Sequence, residues 1–189
     1  RQTIDGKSSD RALHTLIFDD PECRPFYYKN GKSFKDYHKE GEIFWHKYVT
    51  YTEGMSDYWD YSFFNVSVIR YADVLLLYAE CLNDKGETTE AINIINKVRA
   101  RVNVPALPLT MSKAEVLKHL QDKERPCELA LEGSRWYDLV RWGIVEETLK
   151  AHNKPFVENY VDTKHQLFPI PHSEFLLNPD WEQNPNYSK

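Results

Sequence analysis

The stretch ADVLLLYAECLNDKGETTEAINIINKVRARVNVP, residues 72–105, decides the fold because it predicts two amphipathic helices joined by a turn. Its first half repeats apolar residues along one helix face, at Ala72, Leu75, Leu76, Ala79 and Leu82. Its second half does the same at Ala91, Ile94, Ile95, Val98 and Val102. Gly86, between the halves, suits the left-handed backbone that ends a helix. Thr88 or Thr89 can cap the second helix.

This stretch also has the length of a known repeat. Its 34 residues equal the tetratricopeptide period, and the small residues Ala79 and Ala91 let the two helices approach closely. Val98 and Asn103 depart from the repeat, because they stand where its second Ala and its Pro are expected. A single repeat cannot bury its own apolar face. We therefore expect other elements to cover it and further chain to lie upstream.

The residues downstream, 112–143, predict further helices. Residues 112–115 have the sequence of a capping box, which starts a helix. Pro126 should kink or split that helix, and Gly133 marks a further bend. The last residues, 144–189, turn irregular, and the stretch 167–189 holds four prolines and three asparagines yet keeps apolar side chains. We therefore expect an irregular tail held against the domain.

The residues upstream, 1–65, predict loops and short strands. Residues 26–64 hold 14 of the 26 aromatic side chains together with three glycines, a composition unlike that of a helix. The run at 42–51 is the best strand candidate. The chain is thus predicted to be mainly α, as one region with an aromatic-rich part at 1–65, a tetratricopeptide-like hairpin at 66–105, the helices of 112–143 and the tail.

The composition is that of a globular protein, with 41% hydrophobic and 28% charged residues. A net charge of −5 argues against binding to nucleic acid or to an anionic membrane surface. No apolar run approaches the ~20 residues of a membrane-spanning helix. The chain begins with neither Met nor a targeting peptide. We therefore expect a fragment or a processed chain.

Motifs for metal, cofactor or nucleophile chemistry are absent from the sequence. The histidines show neither HxH nor HExxH spacing, and no GxSxG, GxGxxG or GxxxxGK motif occurs. The cysteines Cys23, Cys81 and Cys127 have no metal-binding spacing. Cys81 and Cys127 fall in helical patterns, where a buried thiol is the usual role, and a disulfide between them is the alternative. We expect no metal and no cofactor.

Residues 124–143, ERPCELALEGSRWYDLVRWG, place charged side chains along one helix face at steps of three and four. The charged residues are Glu124, Arg125, Glu128, Glu132, Arg135, Asp138 and Arg141. One interpretation makes Glu128 and Glu132 the acid and the nucleophile of a glycosidase. A retaining pair flanks an open cleft, however, and two carboxyls on one rigid helix leave little room for a sugar.

The favoured interpretation is an ionic network. In it the glutamates pair with Arg125, Arg135 and Arg141, and Asp138 completes the set. Arg70, Asp73 and Glu80 on the first hairpin helix are either further partners or a solvated face. Because removing one partner of a buried ion pair costs about 3–5 kcal/mol, such residues can be essential without doing chemistry.

The aromatic-rich part is the candidate for recognition. Tyr58 and Trp59 stand beside Asp57 in a turn-like segment, and Tyr28 lies in a second loop of this kind. Exposed Tyr and Trp rings present flat apolar faces with a polar tip, on which sugar rings stack. The alternative is that these rings fill the core of a small β layer.

Four segments in order resemble the C-terminal half of the SusD/RagB-like family. They are IRYADVLLLYAE at 69–80, EAINIINKVRARV at 90–102, ERPCELALEGSRWYDLVRWG at 124–143 and PIPHSEFLLNPDWEQNPNY at 169–187. The clear match covers about residues 66–189. The segment 1–65 is compatible with the family but much less diagnostic.

The resemblance implies a mostly helical fold with tetratricopeptide-like pairs and a few short strands. It implies a lipoprotein on the outward face of the outer membrane of Bacteroidetes-type bacteria, serving polysaccharide (starch) utilisation. Such a protein binds a glycan or other nutrient and hands it to a TonB-dependent, SusC-like transporter. The family is non-catalytic, so the resemblance also implies that the charged motif at 124–143 is scaffold.

Two departures from the family pattern matter. The N-terminal half, which carries the lipid anchor and much of a typical sugar site, is not in this sequence. Pro126 replaces a residue that is usually Arg, which affects one arm of the network. A tetratricopeptide-type protein-interaction scaffold without its own glycan site is therefore the alternative to glycan binding.

Overall fold

The chain is mainly helical, as the sequence predicts. The computed structural model describes residues 3–4, 7–20, 23, 33–48 and 67–188. Their contacts form two compact units, within residues 1–133 and within residues 134–189.

The helical hairpin is the core of the first unit and confirms the tetratricopeptide-like prediction. Helix α2 (Tyr71–Asp84) packs against helix α3 (Thr88–Ala100). Ala79 and Ala91 are both fully buried, so small side chains do occupy the close approach. Gly86 makes the turn with a φ of 88°, a left-handed conformation that favours glycine.

The ends of α3 differ from the sequence-based expectation. The predicted cap by Thr88 or Thr89 is wrong, because Glu87 holds the N-cap position and Thr88 already lies in the helix. The Thr88 hydroxyl donates instead to Asn83 Oδ1 at 3.1 Å. Asn103, which stands where the repeat has Pro, adopts a φ of 51° just beyond the helix.

The third helical segment is continuous but changes its winding. Helix α4 (Lys113–His119) begins at the predicted capping box, and one π-helical turn (Leu120–Glu124) joins it to helix α5 (Arg125–Glu128). Pro126 lies in the first turn of α5. The wider π turn just before it accommodates a residue that has no N–H to donate to the preceding turn.

The N-terminal part is built from short elements. Strand β1 (Thr3–Ile4) pairs with β2 (Lys7–Ser8), helix α1 (Asp10–Thr15) follows, and β3 (Leu16–Ile17) pairs antiparallel with β4 (Phe44–Trp45). A 3-10 turn spans Phe34–Asp36. The strand expected at 42–51 is only two residues long as far as the structure describes it, because Tyr48 turns away with a φ of 70°.

The second unit contains four helices within its described residues. They are α6 (Ser134–Trp142), α7 (Val145–Ala151), α8 (Asp162–His165) and α9 (His172–Leu177), with a 3-10 turn at Val157–Asn159. Leu139, Val145 and Leu149 form its buried core. The Gln183 side chain bonds both the N–H and the carbonyl of Ile170, at 2.8 and 2.9 Å, and so ties down the last segment.

The three cysteines are free thiols. Cys23 is buried and Cys127 is half-buried, but Cys81 is exposed, so the expectation of a buried thiol at Cys81 is wrong. Cys81 lies on the face of α2 that turns away from α3. Within the described residues, no helix combines the length and the apolar character needed to cross a membrane.

Candidate functional site

Among the described residues of the first unit, Glu124 is the most completely buried charge, with no exposed surface. Arg11 Nη2 donates to its Oε1 at 2.7 Å, and Arg99 Nη1 donates to its Oε2 at 2.6 Å. His119 Nε2 lies 2.9 Å from the same Oε2. The carboxylate therefore joins α1, α3 and the end of α4.

Glu128, 3% exposed, is contacted by four cationic side chains from separate parts of the chain. Arg11 Nε lies 3.1 Å from its Oε2, while Arg70 Nη1 and Arg101 Nη2 donate to its Oε1 at 3.1 and 2.6 Å. Its backbone carbonyl also accepts from Lys47 Nζ at 2.9 Å and from Arg70 Nη2 at 3.0 Å. Both its carboxylate and its carbonyl are thus saturated with cationic donors.

Glu132 holds two of the same cations. Arg70 Nε donates to its Oε2 at 2.7 Å, and Lys47 Nζ donates to its Oε1. Arg70 therefore bridges Glu128 and Glu132, a geometry to which the planar guanidinium is suited.

The electrostatics keep these groups charged. Burial raises the pKa of Glu124, but the hydrogen bond from His119 and the attraction of Arg11 and Arg99 outweigh it and lower that pKa to about 2. Burial likewise raises the pKa of Glu132, and the bonds from Arg70 and Lys47 outweigh it. Burial lowers the pKa of Arg70, yet its bonds to Glu132 and Glu128 leave that pKa above its ordinary value.

The remaining residues of the predicted network lie elsewhere. Arg125 Nη1 is 2.8 Å from Asp73 Oδ1, which links α5 to α2. Arg141 Nε donates to Asp138 Oδ1 at 3.0 Å within α6, where Arg135 also lies. Asp138 is buried.

Sequence reasoning missed four cations that contact the glutamates: Arg11, Lys47, Arg99 and Arg101. They lie between 25 residues (Arg99 to Glu124) and 117 residues (Arg11 to Glu128) away along the chain. Local spacing carries no signal for such distant pairs. Arg99 and Arg101 stand within the quoted EAINIINKVRARV segment, which is the one signal that could have found them.

Two cavities adjoin the network. The first, about 190 Å³, is lined mainly by small and apolar side chains, among them Ala12, Leu16, Trp45, Pro126 and Ala130. The second, about 220 Å³, is lined by the cations Arg11, Lys47, Arg70 and Arg101, and by Glu128. Arg11 lines both cavities.

The residues predicted to bind glycan, Tyr28, Asp57, Tyr58 and Trp59, lie outside the described residues. Their role remains a prediction. Trp45, half exposed on β4, is an aromatic of the same sequence segment that does line a cavity. Across the part of the chain that the structure describes, no group of His, Cys, Asp and Glu side chains is arranged to hold a metal ion.

Comparison with known proteins points in one direction. A family model for the SusD family matches residues 25–187. SusD-like protein P38 of Formosa agariphila is 37% identical over 130 residues, and SusD-like protein P2 of the same organism is 31% identical over 131 residues. Each alignment covers 65% of this chain; they cover 25% and 26% of the respective relatives, so the chain spans about a quarter of their length.

Solved structures show the same likeness. A SusD superfamily protein from Bacteroides vulgatus is 30% identical, with a TM-score of 0.75 over 97% of this chain and 41% of its own length. A SusD homologue from Bacteroides thetaiotaomicron is 35% identical, with a TM-score of 0.52 over 63% of this chain and 26% of its own.

Proposed function

Because this chain belongs to the SusD family, we propose that it is a non-catalytic, glycan- or nutrient-binding component of an outer-membrane uptake system. In this role it delivers an oligosaccharide to a SusC-like, TonB-dependent transporter from the outward face of the outer membrane, to which an N-terminal lipid anchor would hold it. The observation that carries the proposal is the family match over residues 25–187, together with the structural likeness over 97% of the chain.

The geometry of the glutamates supports a binding role over glycosidase chemistry. A retaining glycosidase needs two carboxyls about 5–5.5 Å apart that flank an open cleft. Glu128 and Glu132 instead contact Arg70, and Glu128 is 3% exposed. Carboxylates held by guanidinium groups in this way act as scaffold, because oxygens already engaged in ion pairs are not free to protonate or attack a sugar.

The experiment that tests glycan binding is affinity electrophoresis of the chain in gels that contain single polysaccharides. We expect retardation by at least one polysaccharide, weakened in Trp59→Ala because the stacking face is lost. Trp181→Ala is the matched control, since Trp181 is an exposed tryptophan of the second unit. No retardation by any polysaccharide, or equal weakening by both variants, would contradict the proposal. Release of reducing sugar would contradict the non-catalytic part.

One observation favours the scaffold alternative. The face of α2 that turns away from α3 exposes Tyr71, Val74, Leu77 and Tyr78, at 77, 47, 39 and 52% of their surface. Tetratricopeptide pairs bury such faces against neighbouring elements or partners. In this alternative, Val74→Lys would abolish co-purification with the transporter, and the chain would bind no polysaccharide.

A further inference from the structure

The second cavity of the first unit is unusual for its charge. It measures about 220 Å³ and has ten lining residues. Four of them, Arg11, Lys47, Arg70 and Arg101, are permanent cations and one, Glu128, is a carboxylate, in a chain whose net charge is −5. Four cations therefore meet at one cavity although the protein as a whole is acidic.

The glutamates beside the cavity do not balance these cations. Arg11, Lys47, Arg70, Arg99 and Arg101 contact Glu124, Glu128 and Glu132 in one connected cluster. Among the described residues this cluster holds five cations and three carboxylates, which leaves an excess of two positive charges. This excess positive charge would attract an anion bound at the cavity.

Arg11 supplies a second, independent observation. It is 4% exposed, and its Nη2 and Nε atoms contact Glu124 and Glu128. Neither its Nη1 nor its Nε atom makes a hydrogen bond within the part of the chain that the structure describes, although Nε lies 3.1 Å from Glu128 Oε2. A buried guanidinium nitrogen without an acceptor is costly, and the residue that carries it lines this cavity as well as the apolar one.

The cavity volume limits what can enter. At about 30 Å³ for each water molecule, 220 Å³ holds several waters or one planar or tetrahedral oxyanion group. Cavities that enclose whole ligands run from about 300 Å³ upward. This cavity is therefore the size of a subsite for one charged group of a larger molecule.

We propose that this cavity binds an oxyanion, the carboxylate or sulfate group of an acidic saccharide. Guanidinium groups suit such ligands because they can donate two parallel hydrogen bonds to a pair of oxygens. Arg101 is the cation most accessible to an incoming ligand, because its side chain is 57% exposed while its Nη2 contacts Glu128. The saccharide part of this proposal rests on the proposed function; the oxyanion part does not.

Calorimetric titration of the chain with glucuronate, glucose and sodium sulfate tests the proposal. We expect glucuronate to bind and glucose, its neutral counterpart, to bind at least about tenfold more weakly, since a hydrogen bond to a charged group is worth that much or more. Binding should also weaken as NaCl is added. Glucuronate that binds no better than glucose would overturn the proposal.

Variants locate the binding. Arg101→Met should reduce the affinity for glucuronate about tenfold, and it leaves Arg11 and Arg70 on Glu128 so that the fold is kept. Lys97→Met is the matched control, because Lys97 is an exposed cation one turn away on α3 that does not line the cavity. Equal losses in the two variants would show general charge attraction and overturn the site.

The outcomes separate this inference from the proposed function. Retention by neutral polysaccharides with no preference for glucuronate would overturn the inference alone. Sulfate that binds as tightly as glucuronate would support the oxyanion cavity and overturn its assignment to a saccharide. Binding of sulfate with no saccharide binding at all would count against the proposed function and leave the oxyanion cavity standing.

Discussion

Two sets of ion pairs, one in each unit of the molecule, differ in kind. In the first unit, Glu124 and Glu128 are buried and contact Arg and Lys side chains from 25 to 117 residues away. In the second unit, Asp138 contacts Arg141 at i+3, and Glu146 contacts Lys150 at i+4. The first kind joins distant elements, whereas the second joins neighbours on one helix.

The difference shows why the spacing of charges does not reveal their energetic weight. The side chains of Glu146 and Lys150 are 54 and 64% exposed, so water and salt screen their attraction. Glu124 has no exposed surface, so its charge is stabilised by its protein partners and not by bulk water. A buried carboxylate must keep its cations, and it thereby fixes the positions of α1 and α3.

The largest effect should come from Glu124→Gln. The substitution keeps the shape but removes the charge that Arg11 and Arg99 contact inside the unit. Leaving buried cations without this carboxylate should lower the free energy of unfolding by about 3–5 kcal/mol. Urea denaturation followed by circular dichroism measures the loss.

The matched control is Glu146→Gln, which makes the same chemical change at an exposed i,i+4 pair. We expect it to lower the free energy of unfolding by no more than about 0.5 kcal/mol. Equal losses in the two variants would refute the distinction between buried and exposed pairs.

Lowering the pH should also weaken the buried ion pairs, with a somewhat smaller loss of unfolding free energy than Glu124→Gln causes. The pKa of Glu124 is about 2 in the folded chain against an ordinary 4.5. Between pH 4.5 and 2 its carboxyl group is therefore protonated in the unfolded chain but not in the folded chain. The stability due to Glu124 is therefore complete above pH 4.5 and is lost as the pH falls through 2, for a total of about 3 kcal/mol. The lowered pKa of Glu132 acts in the same direction.

Urea denaturation at a series of pH values between about 6 and 2 measures this loss, at about 1.4 kcal/mol for each pH unit per proton. In Glu124→Gln the dependence on pH should be shallower, because the titrating group is gone. A variant with the same slope as the wild type would mean that Glu124 does not titrate as its contacts require.

The hairpin could be predicted from sequence because its evidence is local. The apolar steps of α2 and α3 repeat within a few residues, and Gly86 marks their turn. Pro126 likewise predicted a disturbed helix, although nothing in the sequence indicated that the disturbance would take the form of a π turn before it.

The site could be predicted only in part. The glutamates stood out by their spacing, but Arg11 and Lys47 lie in segments without periodicity, and only the folded chain brings them to Glu124 and Glu132. The cationic cavity is therefore a property of tertiary structure alone. The exposure of Cys81 was missed for a related reason: a helical pattern predicts which face is apolar but not whether another element covers it.

Lys150→Gln should have the smallest effect on stability. The way this effect depends on salt tests the difference between the exposed and the buried ion pairs. Breaking the exposed pair with Glu146 should lower the free energy of unfolding by about 0.3–0.5 kcal/mol at low salt. At about 1 M NaCl the Debye length is only about 3 Å, so this loss should vanish.

The loss in Glu124→Gln should persist at the same salt concentration, because ions do not penetrate a site with no exposed surface. Urea denaturation of both variants at low and high NaCl provides the measurement, and a salt-sensitive loss in Glu124→Gln would show that solvent ions reach the network.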